Sequence, residues 1–366
     1  LRYIDGQAFG TINEFSFREK SGFHLEALHG SLAMFSDSLA ISDFGIRTGH
    51  SDIAVEVFAT YPSIEALTET PASASGVIDL ASSTISLRDL LYISPTALDS
   101  VPLSLPESSV IKMGGRFTGT MEDVTIDHFQ MHAMENTSLF INGRLTNVSD
   151  TEKMHVAMNI DKFYTTAADI QMLLVDSLIP SSMQLPEWLS LRGNYRGTMS
   201  TPNVDAELTS ELGNVYLDAR LDLNKSTKEN YRGEIRIVDF FLGKLLGQPE
   251  QIGKLDMVAT VNGAGTTMEE LGGIFKVRVN SFGYNGYSYR DFRRSGTMKK
   301  YFFSGEAELS DENLDFTLAG DLDYDNEVPR YKLALDLRNA DFEKLGFSAG
   351  PMRARALLDV DLETPD

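Results

Sequence analysis

Val215-Tyr-Leu-Asp-Ala-Arg-Leu-Asp-Leu223 sorts its side chains by parity. Val215, Leu217, Ala219, Leu221 and Leu223 fall on one side, and Tyr216, Asp218, Arg220 and Asp222 on the other. A period of two is the pleat of a β-strand with one dry face and one wet face. On either side, Arg192-Gly-Asn-Tyr-Arg-Gly-Thr198 and Tyr231-Arg-Gly-Glu-Ile-Arg-Ile-Val-Asp-Phe240 read as further strands. Phe241-Leu-Gly-Lys-Leu-Leu-Gly247 then reads as a turn or two of helix, with Gly247 as its C-cap.

This unit recurs. Gly115-Arg-Phe-Thr-Gly-Thr-Met121 matches Gly193-Asn-Tyr-Arg-Gly-Thr-Met199, and Asn159-Ile-Asp-Lys-Phe163 matches Arg236-Ile-Val-Asp-Phe240. Asp341-Phe342 with its apolar turn repeats Asp239-Phe240. Loose internal repeats imply a stacked, one-dimensional architecture. They divide the chain into residues 1–95, 96–172, 173–250 and 251–347, with 348–366 opening a further unit.

The same alternation runs through Glu14–Phe17, Phe23–Ala27, Ala40–Ile46, Ile53–Phe58, Ser138–Leu145, Met154–Ile160, Leu255–Val261, Phe275–Val279, Leu314–Tyr324, Tyr331–Leu337 and Ala354–Leu362. Asn285-Gly286 is a strong hairpin signal, and Lys20-Ser-Gly22 marks another turn. Pro62 and the Thr68–Ser75 run read as loop, and Pro95, Pro102 and Pro106 make their segment irregular. Helices are expected to be few: a short one from Ser86 as cap, and one over Thr165–Leu178 presenting Ile170, Leu173, Leu174 and Leu178 before Pro180. The fold class is therefore all-β, a long curled, mainly antiparallel sheet with internal repeats. Short links favour antiparallel pairing. Nothing in the pattern is long enough to cover the dry face, so its apolar side chains would line a groove. The candidate lining residues are Met154, Val156, Met158, Ile160, Val215, Leu217, Leu221, Leu223, Val277, Val279, Leu314, Phe316, Leu318, Leu333 and Leu335.

Composition narrows the functional classes. The 366 residues carry a formal net charge of −21, which disfavours binding nucleic acid or an anionic membrane surface. Without cysteine there is no disulfide scaffold, thiolate metal site or thiol catalysis. No apolar run is long enough for a membrane helix, and the sequence opens on Leu1 with no signal segment, as expected of a fragment or processed product.

Candidate chemistry is sparse. His128, His132 and His155 could be imagined as a metal site, but no supporting carboxylate pattern accompanies them, and they read as surface residues. Asp321-Leu-Asp-Tyr-Asp325 resembles the start of a calcium loop, yet Asn326 and Lys332 stand where glycine and glutamate are needed. Asn262-Gly-Ala-Gly265 reads as a turn. Phe282 with Tyr284, Tyr287 and Tyr289 could form an aromatic platform or simply pair across a hairpin. Met131, Met154 and Met158 suit either core filling or an adaptable apolar surface. No nucleophile–base–orienter set is present, so the chain is expected to be neither an enzyme nor a cofactor-binding protein.

Phe15-Ser-Phe-Arg-Glu-Lys-Ser-Gly-Phe-His-Leu25, Leu39-Ala-Ile-Ser-Asp-Phe-Gly-Ile-Arg-Thr48, Ser51-Asp-Ile53 and Ile85-Ser-Leu-Arg-Asp-Leu-Leu-Tyr-Ile-Ser-Pro95 resemble the TamB/AsmA-like large periplasmic envelope-biogenesis proteins of Gram-negative bacteria. The likeness is to the TamB-like members of the Bacteroides group, and the strand pairs ending in Asp239-Phe240 and Asp341-Phe342 extend it over nearly the whole chain. The resemblance implies a taco-like β-groove in the periplasm. It implies carriage of phospholipid between the inner and outer membranes, assistance to outer-membrane protein assembly, or both. Its implied partners are phospholipid acyl chains, an outer-membrane barrel protein and the inner membrane, the last two through regions outside this chain. It supplies no catalytic residues. The alternative is a secreted or periplasmic β-repeat module that binds glycan or protein; a β-sandwich hydrolase fares worst for lack of a site.

Overall fold

A computed structural model describes residues 2–4, 7–20, 22–94, 96, 106–173, 180, 182–224, 229–265, 267, 269–324 and 328–363. The chain forms two compact units. The first comprises Leu1–Ile179 with Glu187–Met199, the second Pro180–Pro186 with Ser200–Asp366.

The first unit contains β1 (Arg2–Ile4), β2 (Gln7–Arg18), β3 (His24–Met34), β4 (Ser38–Thr48), β5 (Asp52–Thr60), β6 (Ser75–Ser86), β7 (Val110–Thr120), β8 (Asp123–Ala133), β9 (Thr137–Thr146), β10 (His155–Thr166) and β11 (Trp188–Gly197). Its helices are α1 (Ile64–Glu69), α2 (Leu87–Ile93) and α3 (Ala167–Leu173). The second unit contains β12 (Asn203–Ser210), β13 (Gly213–Asp222), β14 (Asn230–Phe240), α4 (Leu242–Leu245), β15 (Ile252–Ala264), β16 (Gly272–Tyr284), β17 (Tyr287–Lys299), β18 (Phe302–Ser310), β19 (Leu314–Asp323), β20 (Arg330–Asp341) and β21 (Arg353–Glu363). Within each unit every strand pairs antiparallel with its neighbour in sequence, so both are meanders. The all-β, antiparallel class with a few short helices is as expected.

The register carries the alternation across strands. Val215 faces Ile237 and Leu217 faces Ile235 on β14; Ile235 and Ile237 face Ala259 and Met257 on β15, which face Val277 and Val279 on β16. Farther on, Leu309 faces Phe316, Leu318 faces Leu335, and Leu335 faces Leu358. The apolar face of the second unit is thus continuous from β12 to β21. The first unit does the same with Val57 opposite Ile78, Ile78 opposite Phe117, Met113 opposite Met131, and Ile141 opposite Ile160.

Bulges interrupt the parity in strands of both units. The register slips between Ile41 and Phe44 on β4, Ile160 and Lys162 on β10, and Ile237 and Phe240 on β14. Asp43, Asp239 and Asp291 adopt positive φ values of 50°, 51° and 53°. Aspartate tolerates this left-handed conformation better than most residues. Each is followed by phenylalanine, which the bulge returns to the apolar face. The Asp239-Phe240 motif is therefore a bulge. Asp341-Phe342 is not: Asp341 lies buried at the end of β20 and accepts a hydrogen bond from Arg353 Nε at 3.0 Å. The repeated Gly-Thr-Met segments do share geometry, since Gly119 and Gly197 have φ of 128° and 129°. A Cβ on Gly119 would lie 2.0 Å from the Asp123 carbonyl oxygen, which explains glycine there.

Within each unit the best-buried groups lie at the strand ends that carry the short helices and turns. Leu87 of α2 and Leu345, in the turn after β20, are each 1% exposed. Asp89 accepts hydrogen bonds at 2.6 Å from both Thr48 Oγ1 and Ser51 Oγ, tying α2 to the β4–β5 turn. Asp169 of α3 accepts from Thr137 Oγ1 at 2.8 Å and the Asn136 N–H at 2.9 Å, tying α3 to the β8–β9 turn. Each of the first four sequence segments ends at or just past such a helix or turn.

Some local expectations change. The helix expected over Thr165–Leu178 starts at Ala167, because β-branched Thr165 and Thr166 extend β10 and pair with Leu189 and Trp188. Leu174 and Leu178 lie outside the described residues, as do Pro95, Pro102, Asp325 and Asn326. Ser86 occupies the N-cap position of α2, but its side chain makes no capping bond; its N–H donates to Ser51 Oγ. The run expected as loop holds α1, capped by Ser63 Oγ accepting from the Ala66 N–H at 3.2 Å, and a short 3-10 turn. Asn262–Ala264 continues β15, so the turn begins at Gly265, with φ of 82°. Gly247, at φ of 68°, closes α4 as expected.

Candidate functional site: the uncovered apolar face

The candidate groove residues sit where alternation puts them, and none is buried. Met154 immediately precedes β10; Val156, Met158 and Ile160 share its apolar face with Leu145, Gly143 and Ile141 opposite. Val215, Leu217 and Leu221 lie on β13, while Leu223 lies just past its end and is 38% exposed. Val277 and Val279 lie on β16, Leu314, Phe316 and Leu318 on β19, and Leu333 and Leu335 on β20. The first four belong to the first unit and the rest to the second.

No described element covers this face. The helices are four to seven residues long; α2, α3 and α4 pack mainly on the strand next to them in sequence, and α1 on the short 3-10 turn that follows it. The accessible surface is 22424 Å². Two separate compact globules, each of half this 40.5 kDa mass, would expose only about 17,500 Å² together. An unsealed sheet face adds to the area in this direction. Among the described residues no helix is long and apolar enough to cross a membrane.

In the second unit the ladder between β16 and β17 is interrupted at Asn280 and Asp291, so that both strands change parity together. They bring Leu255, Val279, Phe282, Tyr284, Tyr289, Phe292 and Leu309 around an apolar cavity of about 490 Å³. That volume is in the range of small-molecule sites. Phe282 pairs with Tyr289 and Tyr284 with Tyr287 across the Asn285-Gly286 hairpin. The rings pair across the hairpin, and three of them also line the cavity. Tyr287 donates its hydroxyl hydrogen bond to the Asp311 carboxylate. Burial, then Asp311 nearby, raises the pKa of both Tyr287 and Tyr289 above the ordinary tyrosine value.

Sequence reasoning missed Arg294. Its neighbours in register are Val277 and Ala307, so it stands on the apolar face of β17. Its guanidinium lies 5.5 Å from the Phe275 ring centroid and 5.2 Å from that of Phe303. The signal was available only through the bulge: simple parity from Tyr287 places residue 294 on the wet face.

The opposite face is polar. Arg144 and Asp123 pair there, as do Arg330 with Asp361 and Arg338 with Asp315. Hydrogen bonding from each arginine holds its partner's carboxyl below the usual range. His128 and His132 face Arg116 and Lys112 on β7, and no group of three metal-ligating side chains occurs among the described residues. Asp321 and Asp323 are strand residues of β19.

No protein family, no curated protein and no solved structure matches the chain.

Proposed function

We propose that this chain is a groove-bearing segment of a cell-envelope protein, holding phospholipid acyl chains along its uncovered sheet face. The observation that supports this most is the apolar face of the second unit, which runs from Val204 and Ala206 on β12 to Leu358 and Val360 on β21 with Arg294 as its one charged residue among those described, and with no described element packed over it. Each acyl methylene withdrawn from water contributes roughly 0.8 kcal/mol, so a chain of about 16 carbons is held firmly. Similar side chains at successive strands offer similar energy at each step, which suits sliding rather than fixed binding.

In this reading the protein works in the periplasm, and phospholipid passes between inner and outer membranes along it. The resemblance to TamB/AsmA-like proteins supports that placement. It adds assembly of outer-membrane proteins, with contacts to an outer-membrane barrel and to the inner membrane made outside this chain. The reading needs no catalytic residue or cofactor.

The test is native mass spectrometry of the purified chain with lipid extraction and identification. Co-purified phospholipid, displaced by added fluorescent phospholipid, is the expected result. A lipid-free protein that also rejects added lipid overturns the reading and favours a β-repeat module binding glycan or protein.

A further inference from the structure

We propose that Arg294, seated on the stacked rings of Phe275 and Phe303 beside the apolar cavity, is the phosphate-binding site for the headgroup of a phospholipid whose acyl chain occupies that cavity. The inference rests on the acyl-groove reading and adds a headgroup site to it.

Arg294 is the one charged side chain at the apolar-face positions of β12–β21 among the described residues. It is exposed and forms no ion pair among the described residues, although the chain carries 53 acidic against 32 basic residues. Other arginines of the second unit that lack an ion pair among the described residues, such as Arg232, Arg236 and Arg278, stand on the polar face, so position is what sets Arg294 apart. An unpaired cation on a central strand is no edge-protecting device, because β17 is paired on both sides.

Its seat is built. The Phe275 and Phe303 rings lie 5.6 Å apart at 25°. They close over Gly296 and Gly305, which are direct cross-strand partners. A Cβ on Gly296 would come within 2.7 Å of Phe275 Cζ, so a larger residue there would displace the ring. A guanidinium resting on aromatic faces keeps its in-plane N–H donors free for a planar, two-pronged contact with phosphate oxygens. Phe292, two residues along β17 on the same face, lines the cavity. One ligand therefore meets an anion site and an apolar site in succession, and a phospholipid supplies both chemistries.

The experiment measures binding of phosphatidylglycerol, of diacylglycerol with the same chains, and of glycerol 3-phosphate, to the wild-type chain and to Arg294→Gln and Arg294→Lys. Arg294→Gln is expected to weaken phosphatidylglycerol binding about tenfold or more, as loss of a charge-assisted contact does, and to leave diacylglycerol within about twofold. Arg294→Lys, which keeps the charge without the planar fork, is expected to fall between. Glycerol 3-phosphate alone is expected to bind far more weakly than the lipid. Unchanged phosphatidylglycerol binding in Arg294→Gln, or equal loss of both lipids, overturns the headgroup site while the acyl groove stands. Glycerol 3-phosphate binding as tightly as the lipid overturns it in favour of a free-anion site. Failure of both lipids to bind wild type overturns the groove reading and this one with it.

Discussion

Replacing Leu87 and Ile78 by alanine in turn tests whether the apolar face is open. Both changes remove three carbons from the first unit. Leu87 is 1% exposed in the rim cluster, whereas Ile78, on the apolar face of β6, is 46% exposed. Three methylene equivalents at roughly 0.8 kcal/mol amount to about 2.4 kcal/mol for complete burial. Leu87→Ala also leaves a cavity that neighbours fill only in part, so its cost should reach ~3–5 kcal/mol. For Ile78 only about half of the transfer term applies, and water reaches the vacated space, so the cost should be ~1.2 kcal/mol. Trp188, the single tryptophan, lies in the same unit on β11 and stacks near Tyr164, with ring centroids 6.3 Å apart. Urea unfolding followed by its fluorescence therefore reports on the unit concerned, and the shift in midpoint at constant slope gives each difference. If Ile78→Ala costs as much as Leu87→Ala, the face is sealed and the reasoning from exposure fails.

Three further outcomes follow from the same geometry. Asp291, with φ of 53° and exposed, should accept glycine with little change, whereas Asp291→Val should cost ~1–2 kcal/mol, read as a fall in melting temperature; equal stability of the two variants refutes the bulge argument. Asp169→Ala should cost about 1–3 kcal/mol by leaving the Asn136 N–H without its acceptor. Asp169→Asn, which keeps that acceptor, should cost less, and the reverse order in denaturant titrations would count against the rim tie. For acid sensitivity, Asp315 and Asp361 have folded pKa values below ordinary carboxylates because Arg338 and Arg330 hydrogen-bond them. Their contribution is complete above the ordinary range and is lost as pH falls through the depressed folded values. Stability of the second unit should be flat near neutrality and decline on acidification, and Asp315→Asn with Asp361→Asn should flatten that decline; an unchanged acid limb would sink the assignment.

Much of the fold was legible because apolar and polar residues alternate along β13, along β14 as far as Ile237 and along β16 as far as Val279. The Asn285-Gly286 hairpin was legible for a similar reason: φ of 48° and 78° is what that dipeptide accommodates. Parity failed at the bulges. One extra residue reverses every side chain beyond it, and only the partner strand's register shows where that happens. Hence Val277 and Val279 were identified as groove residues, while Phe292 and Arg294, on the far side of the Asp291 bulge, were not. The rim ties escaped as well, since Thr48, Ser51 and Asp89 come together only when β4, β5 and α2 meet.

The placement of buried groups separates two tasks that a compact core would combine. Leu87, Leu345, Asp89, Asp169 and Asp341 carry the tight packing and the buried hydrogen bonds, and all lie at the strand ends that bear the short helices and turns. The broad face between the rims carries half-exposed side chains instead. Changes there should alter what the face holds more than whether the sheet folds, because lost contact with water-accessible neighbours is a smaller term than a dry cavity. A face free to vary in this way can take one cation, Arg294, into the middle of an apolar surface, since that side chain is exposed and is not forced out of water. The same substitution among the rim residues would bury an unpaired charge and cost several kcal/mol per ion.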